Sequence, residues 1–261
     1  MLWLYALGQL RLTFQTPEAS QSKEIGHLLT LRQRELLALM ALHHRGVSRD
    51  ELTTTIWPDA SPRRPHNAFH AVLSQLRRRL LAATDESVTD LTRRTGAQYR
   101  IDSELVRVDL WEFQAAVEAA RRQPTGKANR SAALERVVAL YTGDFAEDVD
   151  AAWAVAPREA LRREYLDALS TLVHMSSGAD PRHTLDLLER ARELDRYNEA
   201  IYRDIACIQA KLGQHDAVAR TFQLLERALA ELGAKPHRET VALFTALRSP
   251  SAGDHAPERP R

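Results

Sequence analysis

Two hydrophobic periodicities divide this chain, and the change falls just after Ile101. Before it, stretches such as Gly8-Gln-Leu-Arg-Leu-Thr-Phe14 alternate apolar and polar residues; from Asp109 onward apolar residues recur only at helical spacing. Alternation sends successive side chains to opposite faces of a strand, whereas three- and four-residue spacing gathers them on one face of a helix. The chain is therefore expected to be mainly α, with a mixed N-terminal part and an all-helical remainder. At 261 residues it is long for one domain and comfortable for two. Its 44% hydrophobic content can fill real cores.

In the N-terminal part, residues 2–14 read as one or two edge strands with Gly8-Gln9 as a turn, and residues 15–27 as a loop with room for a short strand. Thr30 is placed to cap a helix over 31–44, whose inward stripe is Leu31, Leu36, Leu37, Met40 and Ala41. Gly46 ends it. Ser48 then caps a second helix, with Glu51 as its capping-box partner and Pro58 as its stop. Three prolines make Trp57–Pro65 a rigid loop.

The segment 61–101 carries the chemistry. A helix over 62–81 has Phe69, Val72, Leu73, Leu76 and Leu80 within one arc of roughly a third of its circumference. Opposite lie Asn67, Ala71, Ser74 and Arg78, flanked by His70 and Arg77. Short or polar side chains suit close approach to base edges, and arginine reaches guanine or phosphate. A hairpin over 92–101 follows, with Arg93, Arg94 and Tyr99 near its tip. Residues 61–100 contain eight Arg, no Lys and three acids, whereas the whole chain is only +1. Concentrated charge of this kind fits a polyanion partner. A helix beside a basic hairpin is the layout of a winged helix-turn-helix on DNA.

Beyond Asp109, helices are expected over 109–122, 129–141, 157–176, 181–194, 198–212, 215–232 and 237–247. Leu-Leu-Glu-Arg-Ala occurs at 187–191 and again at 224–228. That offset is close to the period of about 34 residues of tetratricopeptide hairpins. The Pro- and charge-rich tail, 248–261, reads as disordered.

Other chemistries find no constellation. The single cysteine, Cys207, allows no disulfide within the chain and reads as a core residue. His66 and His70 stand four apart without a carboxylate or thiol at ligand spacing, so no metal is expected. Thr125-Gly-Lys127 lacks most of a phosphate loop, and no cofactor is implied. No segment is long and apolar enough to span a membrane. The expectation is a cytoplasmic protein that is not an enzyme.

The ordered set of motifs resembles actinobacterial regulators of the Streptomyces antibiotic regulatory protein type, which join an OmpR-type winged helix to a bacterial transcriptional activator domain. The residues that carry the likeness are Leu7-Gly-Gln-Leu10, Leu31–Met40, Asp50–Asp59, Val72-Leu-Ser-Gln-Leu-Arg-Arg-Arg-Leu80 and Tyr99-Arg-Ile101, followed by Val108–Phe113, Leu140-Tyr-Thr-Gly-Asp-Phe145, Arg220–Gly233 and Pro236–Thr240. Two positions depart from the common pattern: Gly96 stands three residues before Tyr99, and Gln75 replaces a frequent Arg. The resemblance implies a winged-helix domain over 1–107 and an activator domain over 108–247. It also implies double-stranded DNA with direct repeats as target, a homodimer on that DNA, and RNA polymerase as partner through Asp59, Arg63 and Arg64 of the loop. Whether the chain is complete or the end of a longer protein stays open. So does an alternative in which the helical repeats form an adaptor and the front domain contacts protein.

Overall fold

The computed structural model describes residues 1–15, 22–59, 67–122, 127–176 and 180–248. They form two compact units, one over 1–168 and one beginning at Leu169. The fold is mainly α with a small N-terminal β component.

In the first unit, strands β1 (Leu2–Tyr5), β2 (Arg11–Phe14), β3 (Lys23–Glu24) and β7 (Val106–Val108) make a sheet of order β3-β2-β1-β7. The expected pair of edge strands is corrected here. β1 is internal, antiparallel to β2 and parallel to β7. Alternation puts Leu2, Leu4, Leu12, Phe14, Val106 and Val108 inside.

Helix α1 (Leu31–Leu42) starts at a complete capping box between Thr30 and Gln33. Leu36 to Ala41 are all buried, so α1 is wrapped on every side and has no single inward stripe. Leu31, expected inside, is 53% exposed because it sits at the helix start beyond that wrapping. Strand β4 (Val47–Ser48) leads into α2 (Arg49–Ile56), where the Ser48 hydroxyl accepts from the Glu51 N–H at 3.1 Å. Helix α3 (Asn67–Ala83) and the hairpin of β5 (Thr92–Thr95) and β6 (Gln98–Ile101) complete the winged helix. β6 also pairs with β4, giving a second sheet of order β4-β6-β5.

The same unit continues through α4 (Asp109–Arg122), α5 (Lys127–Leu140) and the first part of α6 (Ala152–Ser176). Helix α6 begins five residues earlier than its proline suggested. Pro157 is its sixth residue, where the missing N–H leaves the carbonyl four residues earlier, that of Trp153, without its intrahelical donor.

The turn between β1 and β2 holds these parts together. The Asp109 carboxylate accepts from the N–H groups of Ala6 (2.7 Å), Leu7 (3.1 Å) and Leu110 (2.7 Å). Thr142–Asp148 lies along the same turn: Gly8 N–H donates to the Asp144 carbonyl at 2.9 Å, and Ala146 N–H to the Ala6 carbonyl at 2.8 Å. A Cβ on Gly143 would come within 2.9 Å of the Gly8 Cα, so the two backbones meet glycine to glycine. Arg34 of α1 donates to the Leu10 and Gly26 carbonyls and pairs with Asp148, which accepts from the Leu10 N–H.

The second unit contains α7 (Pro181–Leu194), α8 (Glu199–Lys211), α9 (His215–Glu231) and α10 (Arg238–Arg248). α8 packs against both α7 and α9, and α10 packs against α8 and α9. Gly213, at φ +72°, makes the turn from α8 to α9. The internal repeat has structural content: Leu188 and Leu225, Ala191 and Ala228, and the preceding threonines Thr184 and Thr221 are all buried. The first leucines differ, Leu187 being buried and Leu224 exposed. Among the described residues of 130–247 no strand occurs. The proposed disordered tail, like Arg63, Arg64 and His66, lies outside the described residues except for Arg248.

Burial pushes the Asp109 carboxyl up from its usual 3.8 to about 6, against the opposing effect of its three backbone donors. A folded-state pKa above the unfolded one means stability that is complete below about 3.8 and lost as pH rises through about 6. Urea unfolding of wild type and Asp109→Asn from pH 4 to 7 should therefore show the wild type's advantage shrinking as pH rises, by at most about 3 kcal/mol. A pH-independent difference would contradict it.

Candidate nucleic-acid interface

Helix α3 presents two faces. Phe69, Leu73, Leu76 and Leu80 are buried, with Val72 half-buried at the edge of the stripe. Asn67, His70, Ala71, Ser74, Gln75, Arg77 and Arg78 are exposed. The phase of the apolar stripe therefore leaves free the face singled out in the sequence.

The three consecutive arginines on α3 have different situations. Arg77 pairs with Asp90, Nε at 2.7 Å and Nη2 at 2.6 Å from Oδ2. Arg79 donates to the Leu28 carbonyl at 2.6 Å and the Gln33 Oε1 at 2.8 Å, which braces α3 against the start of α1. Arg78 has no hydrogen bond or ion pair among the described residues and is exposed.

The wing is a two-residue hairpin. Thr95 pairs with Gln98 across Gly96-Ala97, and Gly96 supplies the positive φ (+62°) that such turns need. The unusual spacing before Tyr99 is thus absorbed by regular pairing. Arg94 stands opposite Tyr99 and Arg93 opposite Arg100. Adjacent strand residues face opposite ways, so Arg93 and Arg94 do not share a surface.

Tyr99 packs edge-on against Phe69 of α3, ring centroids 4.9 Å apart, and is 7% exposed. Its placement is that of a core residue joining wing to helix, not of an exposed tip. Arg94 lies on that helix side, donating to the Gly96 carbonyl at 2.9 Å with its guanidinium over the Tyr99 ring. Together with Ser48, Arg49, Asp50, Ala97 and Tyr99 it lines a cleft of about 130 Å³ beside the start of α2. Arg93, on the other side, is held by Glu104 at 2.8 Å and Asp102 at 2.9 Å. The Glu104 hydrogen bond and the Asp102 charge hold its guanidinium above the usual range.

Asp59 is exposed in the turn after α2. The structure thus brings Asn67, His70, Ala71, Ser74, Arg78 and Arg94 to accessible positions on α3 and the wing, while Arg77 and Arg93 are engaged by carboxylates. Asp90 and Arg79 were missed as functional positions in the sequence. The signal for Asp90 was its spacing before Thr92, whose N–H and hydroxyl both donate to Oδ1 at 2.8 Å. Among the described residues no group of three metal-ligating side chains occurs, and no helix is long and apolar enough to cross a membrane.

Three helices, a small N-terminal sheet and a wing hairpin, followed by helical hairpins, define a winged-helix protein with a helical C-terminal part. The family model of the bacterial transcriptional activator domain matches residues 108–248, and the chain belongs to that family of transcriptional regulators. Among solved structures it is similar to Mycobacterium tuberculosis EmbR, described as in complex with a low affinity phosphopeptide, at 21% identity and a TM-score of 0.60. The match covers 94% of this chain and 64% of that one, so the chain spans just under two thirds of EmbR's length and shares its fold. Comparison with curated protein sequences gives no match.

Proposed function

We propose that the protein is a sequence-specific DNA-binding transcriptional regulator that uses α3 as its recognition helix and β5–β6 as its wing, within a DNA-binding region of residues 1–107. The observation that carries this reading is the exposed face of α3, which runs from Asn67 through Ser74 to Arg78, a residue without a hydrogen bond or ion pair among the described residues. Asn67, His70, Ala71, Ser74 and Arg78 are assigned to base edges, and Arg94 to the phosphate backbone. A shift assay on non-specific duplex DNA at low and moderate salt tests the class: retention that collapses with salt supports it. Absence of retention at every salt concentration would favour the adaptor reading, in which residues 108–247 bind a protein.

The opposed directions of Arg93 and Arg94 sharpen the expectation for the wing. Arg94→Ala should weaken binding to all sequences alike and flatten the log–log salt slope by about 0.9, the value of one phosphate contact. Arg93→Ala, already neutralised by two carboxylates, should change the slope much less. Arg78→Ala should lose about 1–3 kcal/mol of discrimination at the preferred site while non-specific binding falls less. An Arg78→Ala protein with intact sequence preference would remove that residue from the reading face.

Activation through RNA polymerase is assigned to the exposed turn at Asp59 and the adjoining Arg63 and Arg64. Asp59→Ala is expected to lower transcription in a reconstituted assay with promoter binding nearly unchanged. Parallel loss of both would place the turn against DNA instead.

Two protomers are proposed to lie side by side on direct repeats about 10–10.5 base pairs apart, one return of the major groove. Inserting half a helical turn between half-sites should abolish cooperative binding, and cooperativity that survives the insertion would contradict the arrangement.

A further inference from the structure

Of the three arginines at the end of α3, only Arg77 is matched with a charge among the described residues. Arg79 is held by neutral acceptors, a carbonyl and an amide oxygen, and Arg78 is free among the described residues. The carboxylate facing Arg77 is itself fixed in place. Asp90 Oδ1 is occupied by the Thr92 N–H and hydroxyl at the base of β5, which leaves Oδ2 to meet the guanidinium edge at Nε and Nη2. A single anionic oxygen accepting from one guanidinium edge is the geometry a DNA phosphate oxygen would adopt. The pair is partly solvated, with 45% of the Arg77 and 28% of the Asp90 side chain exposed. An ion pair that open to water adds little to stability, so removing the Asp90 charge should leave the fold intact.

We propose that Asp90 holds Arg77 as an internal substitute for a DNA phosphate and so withholds that arginine from non-specific backbone binding, which makes Asp90 a specificity-determining residue of the interface. This rests on the DNA-binding reading above. On non-specific DNA, where contacts are almost wholly electrostatic, every available cation adds to affinity and salt dependence. A protein that keeps one recognition-helix arginine internally neutralised binds random sequence less and loses little at its own site, where base contacts supply the discrimination. Asp90 acts through Arg77 and need not touch DNA.

The test is non-specific duplex binding measured from 50 to 200 mM salt for the full chain and five variants. Asp90→Asn retains an oxygen for Thr92 and removes the charge facing Arg77. It should bind non-specific DNA more tightly than wild type, with a log–log slope steeper by about 0.9, so that its advantage is about 3.5-fold greater at 50 mM than at 200 mM. The ratio of specific to non-specific affinity should fall. Arg77→Ala should leave the wild-type slope nearly unchanged, whereas Arg78→Ala should flatten it. Adding Asp90→Asn to Arg77→Ala should produce no gain, because the gain passes through Arg77; in an Arg78→Ala background it should persist. An unchanged Asp90→Asn slope, a slope lost in Arg77→Ala, or a gain that survives in the Arg77→Ala/Asp90→Asn protein would each overturn the proposal. The last outcome would show only a diffuse charge effect. Wild type that fails to bind DNA at any salt would instead overturn the DNA-binding reading itself.

Discussion

The turn from Ala6 to Leu10 is the surface on which the first unit is assembled. Its backbone has polar groups that neither β1 nor β2 can pair, and a buried amide without a partner costs about 1–3 kcal/mol. Asp109 takes two of its N–H groups and Asp148 a third, while Thr142–Glu147 supplies the rest of the pairing. Arg34 then ties Asp148 back to α1, the helix against which α2 and α3 pack. The placement of the recognition helix is thus linked through side-chain carboxylates to residues far along the chain. Phe113, Phe145, Tyr141 and Tyr165 fill the space around this contact.

At the interface, the number of arginines overstates the charge available to a ligand. Arg77 and Arg93 are held by carboxylates, whereas Arg79 and Arg94 donate to neutral oxygens and keep their charge. The helix and the wing segment are joined in two places. Phe69 against Tyr99 makes an apolar joint, and Arg77 with Asp90 an ionic one. Both joints restrict the wing to one orientation relative to the helix, so their strain or relaxation would be felt by both elements together.

What could be read in the sequence was local. The stripe of α3 and the caps at Thr30 and Ser48 each depend on residues within about one or two helical turns. So do most helices after Asp109. What could not be read depended on distant partners. β7 is only Val-Arg-Val, and its identity as a strand comes from β1, about a hundred residues earlier. Leu31 was assigned inward by its spacing, which cannot tell that the wrapping of α1 starts a turn later. Arg93 and Arg94 were grouped as one basic tip, although strand alternation separates them. Tyr99 was read with them because it is near the hairpin end, where its pairing turns it toward Phe69. The partner of Arg77 lies thirteen residues away across a loop in which Asp85 and Glu86 both take positive φ, a path that no periodicity describes.

The match to the activator-domain family begins at residue 108, but the first compact unit runs to Ala168. The segment that evolution treats as a separate module and the segment that folds as one body therefore have different edges. A chain cut at residue 107 would keep every residue of α3 and the wing, yet would uncover the Ala6–Leu10 backbone and take Trp111 from the Ala41 carbonyl it reaches at 2.8 Å. Recombination that exchanged activator domains between regulators would likewise have to carry a compatible Asp109, Gly143 and Asp148, or the winged helix would inherit a partner that no longer fits its first turn.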